Sequence, residues 1–340
     1  MAATLKDIAE KVGVHPSTIS RVLSGKYDNF NVSKATRELI LKTAKECNYV
    51  PNETARSLRL KKTHTIGLII PDILNPLFAG IARSIGIACE KSNYSFIVCN
   101  TDEIQEKEIK YIEMLKSRRT DGMIIIPVQD KKEHFEKLKK ENYPFVFAIR
   151  HFEDIETDAV LTDDAGDIFR AVEHLIKLGH RRIAFIGGRK ASFVTKEREK
   201  GYKEALNAYK IDIDDDLIVT EGFTAESGYI AAKNVLNSPE KPTAIMVTTN
   251  VIIVGVLEAV FEAGLLIPDD ISIVGIAEMR ATPYLSCPLT AISHPVGQIG
   301  KRAFEMLLKR IESPTKNDFE KLVLPSKFII GNSTQKALGS

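Results

Sequence analysis

Ser17, Thr18, Ser20 and Arg21 put three short hydroxyls and one guanidinium within five residues. Such groups donate and accept hydrogen bonds, and on one helix they suit the reading of nucleic acid. The helix that must carry them opens at Pro16, whose missing N–H is not needed in a first turn. Its buried side is Ile19, Val22 and Leu23, which leaves the four polar side chains mostly outward. A helix before it is capped by Thr4, with Asp7 completing a capping-box-like pair. It sets Leu5, Ile8, Ala9 and Val12 on one face and stops at Gly13,. A third helix starts after Ser33 with Leu39, Ile40 and Ala44 inward. Helix, short glycine turn and polar-edged helix make a helix-turn-helix pattern; a generic three-helix bundle is the plain alternative.

Charge agrees with the first of these. The whole chain carries 47 Lys and Arg against 45 Asp and Glu, too even for a polyanion binder over its full surface. From Met1 to His64, however, the count is 12 against 6, and the rest is mildly acidic. A basic head on an acidic body points to nucleic acid at the N-terminus. The 340 residues, 44% of them hydrophobic, suffice for two or three domains with a sizeable core,. Cys47, Cys89, Cys99 and Cys287 form no CxxC and have no His at ligand spacing, so no metal site is expected and the thiols suit a reducing cytosol,. With no apolar leader and no long apolar run, the sequence implies a cytoplasmic protein with no membrane partner.

Leu5-Lys-Asp-Ile-Ala, Val12-Gly-Val, Pro16-Ser-Thr-Ile-Ser-Arg-Val-Leu-Ser-Gly, Tyr49-Val-Pro-Asn and Ala55-Arg-Ser-Leu-Arg stand in a fixed order and spacing. Together they resemble the headpiece of the lactose/galactose-repressor (LacI/GalR) family of bacterial transcription regulators. The resemblance implies that the second helix enters the major groove, with Pro16, Ser17 and Arg21 at base-reading positions. Arg21 can then donate a bidentate pair to guanine. It places Thr18, Ser20, Asn31 and Ser33 on phosphates, and adds Leu5, Tyr49 and Asn52 to the DNA-contacting set. His15 stands where the family usually has Ser, and either donates to a phosphate or caps its helix. Glu53 to Arg59 fits a hinge helix, with Ala55 and Leu58 on one face. Leu58 takes the place of the leucine wedged into the minor groove; burial against the body is the plain alternative.

After Thr63 the pattern changes to short apolar runs alternating with helical periods, beginning with Thr65-Ile-Gly-Leu-Ile-Ile. That alternation indicates doubly wound parallel sheets, and seven or more runs suit two sheets. The resemblance extends to about residue 331. It implies an all-α helix-turn-helix headpiece (1–50), a hinge (51–62), a periplasmic-binding-protein-like core (63–331) and a tail (332–340). Within the core, one α/β subdomain would hold about 63–162 and 292–322, the other about 163–291 and 323–331. The tail lacks leucine heptads, so no coiled-coil tetramer is expected. Enzymatic signatures are missing. Gly187-Gly188 follows a strand, but GxGxxG spacing, a P-loop, GxSxG and HExxH do not occur, so neither enzyme activity nor a cofactor is expected,.

Ligands of open α/β sheets sit at the carboxyl ends of the strands. By resemblance, Arg198 is the effector-gripping arginine, Leu77 and Phe78 one wall, Phe223 the aromatic of the other, and Asn250 the cleft asparagine. Asp72, Ser192 and Thr195 could add polar contacts. Three positions depart from the family's polar pattern: Ile149, Val251 and Ala277, the last beside a displaced Glu278. A free neutral sugar would leave hydroxyls unpaired there, at a cost of about 1–3 kcal/mol each. The expected effector is therefore poorer in hydroxyls, or anionic and held by Arg198, or the cleft has lost small-molecule sensing. The functional expectation is a repressor that binds a near-palindromic DNA operator as a homodimer, on the bacterial nucleoid. A sugar, sugar acid or sugar phosphate would control it through closure of the cleft and ordering or melting of the hinge helices. The alternatives are a regulator answering to a protein co-regulator or a non-sugar metabolite, and a solute-binding protein.

Overall fold

The computed structural model describes residues 3–23, 32–49, 62–128, 131–276, 287–315 and 318–337. The chain divides into two compact units, Met1–Thr63 and His64–Ser340.

In the first unit α1 (Leu5–Val12), α2 (Pro16–Leu23) and α3 (Lys34–Glu46) close around Ile8, Ala9, Ile19, Val22, Ile40 and Ala44. Thr4 and Asp7 form the expected capping box, each side chain accepting from the other's backbone N–H. Gly13 ends α1 at φ 74°, a left-handed conformation that costs glycine little,. Leu39 departs from expectation: it is 48% exposed, whereas its neighbour Ile40 is wholly buried. Adjacent helical residues point about 100° apart, and Ile40, Thr43 and Ala44 fill the inward stripe,.

The second unit alternates strands and helices. Its strands in chain order are β1 (Thr65–Ile70), β2 (Ser95–Asn100), β3 (Gly122–Ile125), β4 (Phe145–Ala148), β5 (Asp158–Thr162) and β6 (Ile183–Gly187). There follow β7 (Ile218–Thr220), β8 (Ala244–Val247), β9 (Ser272–Ile276), β10 (Thr290–Ser293), β11 (Lys321–Leu324) and β12 (Lys327–Ile329). They make two six-stranded sheets, ordered β11-β5-β4-β3-β1-β2 and β12-β10-β9-β8-β6-β7. Every pair is parallel except β10 with β12. Ile66, Leu68 and Ile70 of β1 face α4 (Pro76–Lys91) and α11 (Val296–Glu312), while Ile69 faces α5 (Gln105–Ser117) and α6 (Glu133–Lys140). The second sheet is covered likewise by α7 (Asp164–Lys177) with α8 (Phe193–Ala208), and by α9 (Ala225–Leu236) with α10 (Ile252–Glu262). Strands buried on both faces read as unbroken apolar runs, which is why these could be found in the sequence.

The chain crosses between the sheets three times: after β5, after β10, and between β11 and β12. β10 stays in the second sheet to Ser293 and β11 in the first to Leu324, so the last two crossings fall about two residues later than expected. The segment after residue 331 is also no loose tail. Ser333 is fully buried; its hydroxyl donates to Ile273 O and accepts from Thr290 N, and its carbonyl accepts from Ile273 N. His180 Nε2 meets Gln335 O, and Ala337 N donates to Leu178 O, so the segment seals the second subdomain as far as 337.

One polar cluster ties the crossings together. His294, in the second, lies 2.9 Å through Nδ1 from Ser326 Oγ in the third, and 4.0 Å from Asp167 Oδ2 in α7, just past the first. Burial, and then the charge of Arg198, lower the His294 pKa to about 3, so the ring is neutral. A folded value near 3 against an unfolded one near 6.5 stabilises the fold above pH 6.5, and that stability is lost as pH falls towards 3. The loss approaches about 1.4 kcal/mol per pH unit. Between pH 6.5 and 5, urea denaturation of His294→Gln should therefore lose about one proton's worth of the wild-type slope; identical slopes would contradict the buried neutral imidazole.

Candidate functional site

Two sites emerge, one in each unit. In the head, His15 caps α2: its Nδ1 accepts from Ser17 N at 3.3 Å and lies 2.8 Å from Ser17 Oγ. An accepting Nδ1 puts the proton of a neutral ring on Nε2, so capping leaves a donor on the far side of the ring. The geometry thus fits the helix-capping reading of His15 and is compatible with a phosphate contact from Nε2. Ser17 and Arg21, one turn apart, are exposed, and Pro16, Thr18 and Ser20 are half-buried beside them. Leu5 and Tyr49 are partly buried against the helical core, and Ser33 caps α3 by accepting from Thr36 N. Asn31, Asn52, Ala55 and Leu58 lie outside the described residues.

In the body, a cavity of about 530 Å³ opens between the subdomains, at the carboxyl ends of the strands of both sheets. Asp72, Leu77, Phe78 and Ile149 line it from the first subdomain, and Arg198, Phe223, Asn250 and Val251 from the second. Phe223 is held by a glycine: a Cβ on Gly188 would collide with its ring. The Gly187-Gly188 pair after β6 therefore makes room for an aromatic wall. Ile149 sits at φ 63°, which a β-branched residue seldom adopts,. Its N–H is held by Val160 O at 2.8 Å, and the turn directs Arg150 to the cavity.

Other expectations need correcting. Ser192 and Thr195 are buried and do not line the cavity. Val194 and Arg198, one turn apart, form the cavity edge of α8 and leave Thr195 round the helix,. Ala277 and Glu278 lie outside the described residues. Arg198 does line the cavity, but it is not short of carboxylates. Its Nε and Nη2 each meet Asp164 Oδ1 at 2.7 Å, and Nη1 donates to Thr248 O at 2.7 Å. The expectation of an anionic effector drawn by an unpaired Arg198 therefore loses its basis.

Among the cleft residues that sequence reasoning missed, four make polar contacts that shape the site. Asn75 caps α4 through Oδ1, which also accepts across the cleft from Asn250 Nδ2 at 2.9 Å. Glu103 follows β2 and Arg150 follows β4; they pair at 2.8 and 2.9 Å. Arg189 follows β6 and reaches across to Val128 O at 3.0 Å and Glu103 at 3.5 Å. Asn75, Glu103, Arg150 and Arg189 all lie just past strand ends, so the strand-end rule applied to every strand would have found them.

With this geometry in place, the class is defined: the chain belongs to the bacterial regulatory proteins of the lacI family, DNA-binding transcription regulators rather than enzymes. Residues 4–52 match the family's own model and residues 172–334 a periplasmic binding protein-like domain. The chain is 33% identical to the transcriptional repressor PurR of Vibrio atlanticus (strain LGP32) over 99% of both chains. It is 34% identical to catabolite control protein A of Priestia megaterium, over 98% of this chain and 100% of that one. Among solved structures, a lac repressor dimer bound to operator and the anti-inducer ONPF matches with a TM-score of 0.87 at 25% identity, over 98% of this chain and 100% of that one. A LacI family regulator from Enterococcus faecium with bound ribose matches with 0.73 at 32% identity, over 81% of this chain and 100% of that one. No helix among the described residues is long and apolar enough to cross a membrane.

Burial pushes the Asp164 carboxyl above its ordinary value, and Arg198 pulls it back down. Arg198→Ala should cost about 3–5 kcal/mol at pH 7.5, since it strands a buried charge. The raised Asp164 pKa then rises further, so the penalty is full above that value and is relieved as pH falls through it towards 3.8, where the folded state takes up the proton first. Arg198→Ala combined with Asp164→Asn should recover most of the loss. Thermal denaturation of the three proteins at two pH values decides; a double variant no better than the single one would mean that the pair is not coupled.

Proposed function

We propose that this regulator is a repressor that binds a near-palindromic operator as a homodimer in the bacterial cytoplasm, and that a sugar-sized molecule in the cleft sets its DNA affinity. The observation that carries the reading is α2 itself. Its inner face, Ile19 and Val22, is locked in the core while Ser17 and Arg21 stand exposed on the opposite edge, where a groove can be read,. On this reading Pro16, Ser17 and Arg21 contact bases, and His15, Thr18, Ser20, Asn31 and Ser33 position the helix on phosphates.

A homodimer follows from the two-fold symmetry of a palindrome and from the small contact that one headpiece makes. The second subdomain also exposes Val254 and Phe261, one face of α10, with Leu266 beyond it. Apolar side chains grouped in this way favour burial against a second copy. The relatives named as repressors support the direction of control. A cavity of about 530 Å³ bounded by Phe78 and Phe223 supports a small-molecule effector over a protein signal acting there,.

Arg21→Ala should cost about 1–3 kcal/mol on the operator and much less on unrelated DNA, measured by gel shift at fixed salt. Equal losses on both would reduce Arg21 to a phosphate contact. Leu58→Ala should weaken operator binding and reduce DNA bending without lowering the thermal midpoint of the body. Unchanged bending with a lowered midpoint would make Leu58 a core residue instead.

A further inference from the structure

The two guanidiniums that most clearly shape the cleft wall are neutralised in different ways. Arg198 is held by Asp164, a buried residue of the α7 first turn that does not line the cavity. That pair is a fixture of the wall. Arg150 is only 4% exposed and is held by Glu103, which itself lines the cavity. The Glu103 side chain is 23% exposed and stands on a loop where both Asp102 and Glu103 are left-handed, at φ 53° and 56°. The Arg150 backbone N–H donates to Ala148 O at 2.6 Å, and the guanidinium is held independently of Glu103 by Nη1, which donates to Pro127 O at 3.3 Å. Its anion lines the cavity, partly exposed, and also lies 3.5 Å from Arg189 Nη2.

The Arg150 guanidinium also lies 4.9 Å from the Phe223 ring centre and 5.8 Å from that of Phe78. A ligand group arriving at Arg150 thus comes close to two aromatic rings. A carboxylate replaces Glu103 with its single charge and planar bidentate geometry both kept, whereas a phosphate monoester, also able to pair bidentately, brings close to a second negative charge. A neutral polyol would instead have to break a buried ion pair and leave the guanidinium short of an anion. Ile149 and Val251 offer the cavity no side-chain hydrogen bonds, whereas Asp72 and Asn250, each already holding one partner within the protein, keep further polar capacity for hydroxyls,.

We infer that the effector is a ring-bearing hydroxylated monocarboxylate of hexuronate size, whose carboxylate takes the place of Glu103 on Arg150. This rests on the reading of the cleft as an effector site, and names the class of molecule that it accepts. Glu103 is the resident stand-in that the ligand displaces, and Arg150, rather than Arg198, is the residue that selects for acid.

Two measurements on the full chain test this. In the first, Glu103→Ala should lower the thermal midpoint, and acetate or formate should restore it saturably against chloride at matched ionic strength. In the second, calorimetry with galacturonate, glucuronate, galactose and glucose should give at least one uronate about tenfold or more tighter than its hexose. That uronate should bind tighter still to Glu103→Ala, where its competitor is gone, and Arg150→Gln should erase the preference. Hexoses binding as tightly as their uronates would overturn the carboxylate exchange while keeping the cleft as an effector site. A Glu103→Ala protein that no carboxylate rescues, with no binding by any of the four sugars, would overturn the exchange and count against the cleft reading itself. Rescue by acetate without uronate binding would keep the anion site and overturn the ring.

Discussion

Within the body everything hangs on the direction of the strands. All but one strand pairing is parallel, so each sheet gathers its loops at one edge, and the three crossings bring those edges to face each other. A parallel strand can be revisited only through a crossover, which here is mostly a helix that covers the sheet's face, although β4 reaches β5 through residues 149–157 without one,. The cavity is the space left between two sets of strand ends, and its lining comes from loops rather than from the packed interior. The hinge that holds the edges at their present separation is narrow: three chain segments, with Asp167, His294 and Ser326 packed between them. Burial keeps His294 neutral and pushes the Asp167 carboxyl up, while Asp167 also pairs with Arg170.

Charge in the cleft is organised by the same economy. Arg198 with Asp164, and Arg150 with Glu103, are paired within the protein, and Asn250 with Asn75 and Arg189 with Val128 O close the gap from wall to wall. A ligand entering such a site exchanges partners with groups that are already satisfied. Its net gain is therefore the difference between two sets of bonds, which makes the cleft selective before it makes it tight. The left-handed Ile149 belongs to this arrangement. An aspartate or asparagine would hold that backbone with less strain, yet Ile149 contributes apolar wall and packs into the first core,.

Much of the fold was legible because its signals are local. Runs such as Thr65–Ile70 must be strands buried on both faces, and Thr4 with Asp7 must start a helix. Leu39 misled because an apolar residue next to a buried one looks alike in sequence, whereas a helix turns about 100° between them,. Asp72 and Asn250, read from positions just past strand ends, line the cavity, as does Phe78 from the first turn of α4. Other site residues were placed badly where the outcome depended on a partner far away in sequence. Arg198 sits in a charged helical stretch, and nothing there announces Asp164, 34 residues earlier, as its counter-ion. Arg150 and Glu103 lie 47 residues apart, and only the sheet order brings them together.

Whether a two-fold assembly of this chain reads DNA by sequence through α2 is tested by selecting bound fragments from random double-stranded DNA with the full chain at about 150 mM salt, near-physiological screening. A near-palindrome whose two half-sites are related by a two-fold axis should be enriched. Recovery of fragments with no shared sequence, or of a single half-site alone, would contradict this reading.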